Sequence, residues 1–234
     1  MKPQQLKTIG IIGGMGPHAS ADLYKKIIAI CQKKHNAVQD SDFPCIWLLN
    51  LPAEDFDETG VVESTSVQNQ LLQAVQKLES LGCDVIIMAC NTIHMFWETL
   101  RNHTHVPILH IVQETLKQVK QKEMTTVGLL CTETTHKQAL YHAPLSKENV
   151  HILACNHEER KHLTQIIKNI MSGRHEKSDK EFLEQKAKDF VSQGAEAIIL
   201  GCTELPIIFP KKEFLCFDST QILAEAAVDF SFQN

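Results

Sequence analysis

Gly82-Cys83-Asp84-Val85-Ile86-Ile87-Met88-Ala89-Cys90 and Gly194-Ala195-Glu196-Ala197-Ile198-Ile199-Leu200-Gly201-Cys202 carry one pattern twice, 112 residues apart. In both, a glycine and an acidic step lead into a continuous apolar run that closes on a cysteine. A short run of this kind, bounded by glycine, reads as a strand covered on both faces. Each copy follows an amphipathic helix, over 64–81 and 179–193. A fainter match, Thr8-Ile9-Gly10-Ile11-Ile12 with Thr126-Val127-Gly128-Leu129-Leu130, lies at an offset of 118. Two matches in the same order at similar offsets imply two similar halves.

Working outward, apolar periodicity predicts strands over 8–12, 43–49, 84–90, 107–111, 125–131, 150–154, 195–201 and 214–218. The strand at 43–49 reads as buried. Helices are predicted over 20–34, over 64–81 with Ser64 as N-cap, briefly after Cys90, and on to about 122. Three more follow, over 158–171, 179–193 and 221–230. Apolar strands alternating with amphipathic helices imply parallel sheets covered on both faces, joined by right-handed crossovers. The fold class is therefore α/β: two similar doubly wound parallel-sheet halves with a pseudo-twofold relation and an active-site cleft between them. The boundary falls near 115–124, giving an N-terminal half 1–115 and a C-terminal half 116–218, with a closing helix 219–234 packing back on the first half.

Composition narrows the class of function. The 234 residues are 43% hydrophobic and 22% charged, an ordinary globular balance. A net charge of -5 argues against a dedicated nucleic-acid binder. No apolar run approaches the roughly 18 residues of a membrane span, and residues 1–7 are polar rather than signal-like. The expected setting is cytoplasmic, where the eight cysteines stay reduced. They form no CxxC pair, and most read as small core residues.

Cys90 and Cys202 read differently. Each ends a buried strand, where α/β proteins bind ligands. Polar residues follow each one: Asn91 and Thr92 after the first, Thr203 and Glu204 after the second. Backbone N–H groups and a helix N-terminus at such a position favour thiolate. Two thiols presented from opposite sides of a cleft suit the inversion of a carbon stereocentre. One thiolate removes a proton and the opposite thiol returns one, while fixed donors hold the charge that develops on the neighbouring carboxylate.

The chain here resembles the aspartate/glutamate racemases, a cofactor-independent family, over nearly its whole length. Gly13-Gly14-Met15-Gly16-Pro17 after a strand resembles the opening of aspartate racemases. Met88-Ala89-Cys90-Asn91-Thr92-Ile93-His94 resembles their first cysteine motif, and Gly201-Cys202-Thr203-Glu204-Leu205-Pro206 the second, in its Cys-Thr-Glu form. The resemblance implies Cys90 and Cys202 as the two proton-transfer bases. It also implies substrate binding by Met15, Gly16, Asn91, Thr92, Thr132, Thr135, Arg160, Thr203 and Glu204. No cofactor, no metal, a small amino-acid substrate and a homodimer are further expectations from the family. The expected substrate is aspartate first and glutamate second. One departure widens that range: no Arg or Lys occurs from His35 through Gln76, and Glu54, Asp55, Asp57 and Glu58 make part of that segment acidic.

Other readings compete. Gly14-x-Gly16-x-x-Ala19 fits a loose dinucleotide fingerprint, but Pro17 removes a donor from the loop. Cys90 and His94, or His103 and His105, lack structural-zinc spacing. His94 reads as a loop or core histidine, and the residues from His103 to His110 as surface or capping groups. A non-catalytic amino-acid-binding protein, a hydantoin racemase or a maleate isomerase would fit a similar two-halved scaffold.

Overall fold

The computed structural model describes residues 6–57, 60–61 and 63–233. Its first half is a parallel sheet of β1 (Ile9–Gly13), β2 (Ile46–Asn50) and β5 (Val85–Met88), in the order β2-β1-β5. A small antiparallel hairpin, β3 (Phe56–Asp57) with β4 (Gly60–Val61), stands apart from it. Helices α1 (Pro17–His35), α2 (Ser64–Ser80), α3 (Trp97–Arg101) and α4 (Ile111–Gln121) complete this part. The second half is a parallel sheet of β6 (Thr126–Cys131), β7 (His151–Ala154), β8 (Ala197–Gly201) and β9 (Cys216–Asp218), in the order β7-β6-β8-β9. Its helices are α5 (Glu133–Lys137), α6 (His142–Lys147), α7 (His157–Met171), α8 (Lys177–Ser192) and α9 (Ser219–Ser231).

The repeat is a repeat of sheet topology. β1 and β6 each lie between an edge strand and the strand that ends toward a cysteine. The match extends to the sheet margins, where Ile86 bridges Ile108 in the first half and Ile198 pairs with Cys216 in the second. Two residues after each margin position stands a helix cap, His110 for α4 and Asp218 for α9. β1, β5 and β8 are buried at every residue, which is why their sequences are unbroken apolar runs.

Three readings are corrected. The strand expected over 43–49 starts at Ile46 and is not buried, because β2 is a sheet edge with Trp47 and Leu48 exposed. The strand expected over 107–111 shrinks to the single Ile108 bridge, and Ile111 already opens α4. Ser64 is the first helical residue of α2, and the cap is Glu63, whose carboxylate accepts the Thr65 N–H. Helices α5 and α6 and the β3–β4 hairpin were not anticipated.

One apolar cluster runs through both halves, joining Ile9, Leu23 and Ile87 to Val127, Ile199 and Leu223. α9 packs against both α1 and α4. Its Ile222, Leu223, Ala224, Ala227 and Val228 are buried, so the last helix belongs to the seam as much as to either sheet. α4 runs unbroken through residue 115 to Gln121. Among the described residues, no helix is long and apolar enough to cross a membrane.

Candidate active site

The site gathers where β1, β5 and β8 end. The loop from β1 into α1 turns sharply at Gly14, whose φ of +97° favours glycine. A Cβ there would sit 2.3 Å from the Leu51 carbonyl oxygen. Ser20 ties the loop down: it accepts the Gly14 N–H at 2.9 Å and donates to the Gly16 carbonyl at 3.0 Å. Gly16 then aims its N–H across to the other half, where Glu204 Oε1 accepts it at 3.1 Å. In this contact the Gly16 N–H of the glycine-rich loop is turned onto a carboxyl group.

Cys90 and Cys202 are both buried, 7% and 4% exposed, although each leads into a loop. The two loops touch: Thr203 Oγ1 lies 3.4 Å from the carbonyl oxygen of Ala89, the residue before Cys90. Cys202 Sγ donates to Glu204 Oε2 at 3.1 Å, and Thr203 Oγ1 donates to the same oxygen at 3.1 Å. Burial raises the Glu204 carboxyl above the ordinary range, and its three hydrogen bonds from Cys202, Gly16 and Thr203 pull the other way.

Three buried hydroxyls span the seam. Thr92 of the first half lies 3.1 Å from Thr132 and 3.0 Å from Thr135 of the second, and Thr132 and Thr135 lie 3.0 Å apart. Thr132 also caps α5, accepting the Thr135 N–H. Hydroxyls that satisfy one another can rotate their protons onto an arriving anion. Asn91 is held by its side chain. Tyr141 O–H donates to Oδ1 at 2.6 Å, and Nδ2 donates to Ser219 Oγ at 3.1 Å. Ser219 donates in turn to the Leu200 carbonyl at 2.7 Å, so a chain of hydrogen bonds fastens the Cys90 loop to β8 and α9.

Arg160 is committed elsewhere. Its guanidinium pairs with Glu133 and donates to the Cys155 carbonyl, and only 12% of the side chain is exposed. His94 is a core residue, with Nδ1 donating to the Cys90 carbonyl at 2.8 Å. Burial holds its pKa down at about 3, so the ring is neutral. Elsewhere in the core, burial pushes the thiols of Cys31, Cys83 and Cys155 up to about 11, which fits inert core residues.

Beside this group opens a cleft of about 510 Å³ between the halves, lined by Gly14, Met15, Pro52, Phe56, Lys168 and Met171 among others. Met15 lies on its first-half wall. Lys168 was missed. It is half-buried on α7 and has no ion pair among the described residues. Arg160, Thr164 and Lys168 stand at i, i+4 and i+8, one stripe of the helix. The stripe therefore carries two cations, and only its second one lines the cleft.

This two-halved parallel α/β protein, with a buried thiol at the end of each half and a mixed polar cleft between them, has the architecture of the Asp/Glu racemase structures. The description Asp/Glu/Hydantoin racemase matches residues 12–227, and the chain belongs to that family. It is thereby an isomerase of the amino-acid racemase type. Over 222 residues it is 30% identical to the broad specificity amino-acid racemase RacX of Bacillus subtilis (strain 168), covering 94% of this chain and 96% of that one. An aspartate racemase of Picrophilus torridus superposes with a TM-score of 0.84 at 25% identity, over 97% of this chain and 95% of that one. An aspartate racemase homologue from Pyrococcus horikoshii OT3 superposes with a TM-score of 0.82 at 26% identity, over 97% and 100%.

Proposed function

We propose that this racemase inverts the α-carbon of an acidic amino acid, aspartate first and glutamate second, by proton transfer between Cys90 and Cys202 without a cofactor. The thiolate of one takes the α-proton, and the thiol of the other gives one to the opposite face. The observation that carries this reading is the contact between the two cysteine loops, where Thr203, the residue after Cys202, meets the carbonyl of Ala89, the residue before Cys90. The α-carboxylate is assigned to the hydroxyls of Thr92, Thr132 and Thr135 and to donors of the Asn91 and Thr203 loops. Met15 and Gly16 form the floor on the β1 side.

Lys168 is the cation proposed for the second carboxylate, because Arg160 is already paired with Glu133. It answers the absence of any cation from His35 through Gln76. A single flexible ammonium at a cleft edge is less selective than a bidentate guanidinium. That favours acceptance of more than one side chain, in keeping with the name of the Bacillus subtilis relative. We further take the working form to be a cytoplasmic homodimer. Its two halves, 1–115 and 116–218 with 219–234 folded back, close one cleft in each protomer.

The test is incubation of reduced protein with L-aspartate, L-glutamate and a panel of neutral and basic amino acids in deuterated water. Opposite enantiomer carrying α-deuterium is the expected product. If no amino acid in the panel is racemised or exchanged, the proposed reaction is wrong.

A further inference from the structure

The two cysteines have unlike neighbours two positions on. At the Cys90 loop this place is Thr92, tied into the hydroxyl triangle. At the Cys202 loop it is Glu204, 2% exposed, with its carboxyl 3.1 Å from the sulfur. A buried carboxylate beside a thiol penalises loss of the thiol proton to bulk water, since two adjacent negative charges would result. It does not penalise transfer of that proton to itself, since the pair keeps one negative charge throughout.

We infer that Glu204 is the proton-holding partner of Cys202. The Sγ–H bond breaks, an O–H bond forms at Oε2, and the negative charge moves from carboxylate to sulfur. Thr203 and the Gly16 N–H stay as donors to the carboxyl in both states. Their presence fixes its orientation, and the Gly16 N–H reaches it from the opposite half of the chain. Glu204 acts through Cys202 and need not touch substrate. The inference rests on the two-cysteine reading for its purpose, though not for its chemistry.

A coupled pair of this kind titrates as a unit. Protonation of both groups at low pH removes the thiolate. Above that step the shared proton leaves a thiolate fraction that does not change with pH until the second proton departs. Of the other groups around it, Met171 of α7 packs over Gly16 beside Glu204 and does not titrate. Among the described residues, the buried Tyr141 hydroxyl interacts with Cys202, and Lys168 lines the neighbouring cleft.

The experiment is the pH profile of iodoacetamide alkylation, with the Cys202 and Cys90 peptides counted separately by mass spectrometry. It compares wild type, Glu204→Gln and Glu204→Asp. In wild type the Cys202 rate should be nearly flat across neutral pH. In Glu204→Gln it should climb about tenfold per pH unit, as an isolated thiol does below its pKa. Glu204→Asp should restore part of the flat limb. The Cys90 profile should be the same in all three, which also shows that the variants are folded. Thiolate absorbance of each protein, taken against its Cys202→Ala counterpart, gives the same comparison if the reagent cannot enter. Identical Cys202 profiles in wild type and Glu204→Gln would overturn the inference. A changed profile in a protein that racemises nothing would leave it standing and remove the racemase reading instead.

Discussion

The Cys90 and Cys202 loops end equivalent strands, yet they are built from different materials. The first is held from behind by neutral groups: His94 on its carbonyl, Tyr141 and Ser219 on Asn91, and hydroxyls around Thr92. The second is held by a carboxyl group that reaches Cys202, Thr203 and Gly16 at once. A duplicated fold thus supplies symmetric positions, and later residues need not be symmetric in chemistry. For a racemase this has a sharp consequence. Enantiomers have equal free energy, so kcat/KM must be equal in the two directions. Unlike surroundings of the two thiols can show only as unequal kcat and unequal KM, changing together.

The largest effect comes from removing either thiol. Cys90→Ala and Cys202→Ala should each lower racemisation by about 10²–10⁴-fold, the contribution of a positioned acid or base. Because the two act as one unit, the double variant should be little worse than either single one. Chiral chromatography of the product measures all three. A Cys90→Ala protein that racemises at the wild-type rate would show that the halves do not share the reaction.

Next in size is the cation that only the second half provides. Lys168→Met should cut kcat/KM for aspartate and glutamate by roughly tenfold to a hundredfold, the value of a hydrogen bond to a charged group. Neutral amino acids should be affected much less. An equal loss across the panel would move Lys168 from side-chain recognition to a general role in the cleft.

The fold was legible because buried parallel strands must be written as unbroken apolar runs. The 112-residue repeat therefore surfaces directly in the sequence. Edge strands carry no such constraint. β2 has an apolar sequence, Ile46-Trp47-Leu48-Leu49, and still lies at the margin. Composition alone could not distinguish its place from that of β5. Cys90, Cys202 and the polar residues after them stood out from their position after those strands, whereas Thr132 and Thr135 came only from the family resemblance. Lys168 was not legible, since a lysine on an amphipathic helix ordinarily faces solvent, and only the packing of α7 against the other half brings it to the cleft. Arg160 attracted attention for its chemistry, but Glu133 lies close enough to claim it. A pairing between residues 27 positions apart has no local signature.

The bracket beneath Asn91 offers a smaller test, on stability. Tyr141 is fully buried at 1% exposure, and its hydroxyl serves Asn91 Oδ1. Tyr141→Phe leaves that oxygen buried with one donor fewer. It should cost about 1–3 kcal/mol by urea denaturation. Asn91→Ala should remove most of the further cost of Tyr141→Phe, because the two share one interaction. Additive losses would mean that the contact does not couple the Cys90 loop to the second half.

The helix caps His110 and Asp218 extend the comparison to acid. His110 Nδ1 accepts the Val112 N–H, so it caps α4 only while it carries no proton on that atom. Its pKa is held down to about 4 by burial, and that of its neighbour His94 to about 3, first by burial and then by His110. Both lie below the ordinary 6.5, so the unfolded chain binds protons that the fold refuses. Stability is then lost as pH falls from about 6.5 toward 4, at roughly 1.4 kcal/mol per pH unit for each histidine. Asp218 behaves otherwise. Burial would raise its carboxyl, but Lys26 at 3.2 Å and Lys211 at 2.6 Å outweigh it and hold the pKa below 3.8. Its contribution is complete above 3.8 and disappears only as pH falls through that lower value. Between those limits acid should therefore weaken the α4 cap while leaving the α9 cap intact. Hydrogen exchange at pH 5 should show the first turn of α4 losing protection before that of α9. His110→Asn keeps a capping side chain without a titrating one, and should flatten the pH dependence of the urea midpoint by about one histidine's share. An unchanged slope would place the acid sensitivity of the first half on His94 alone.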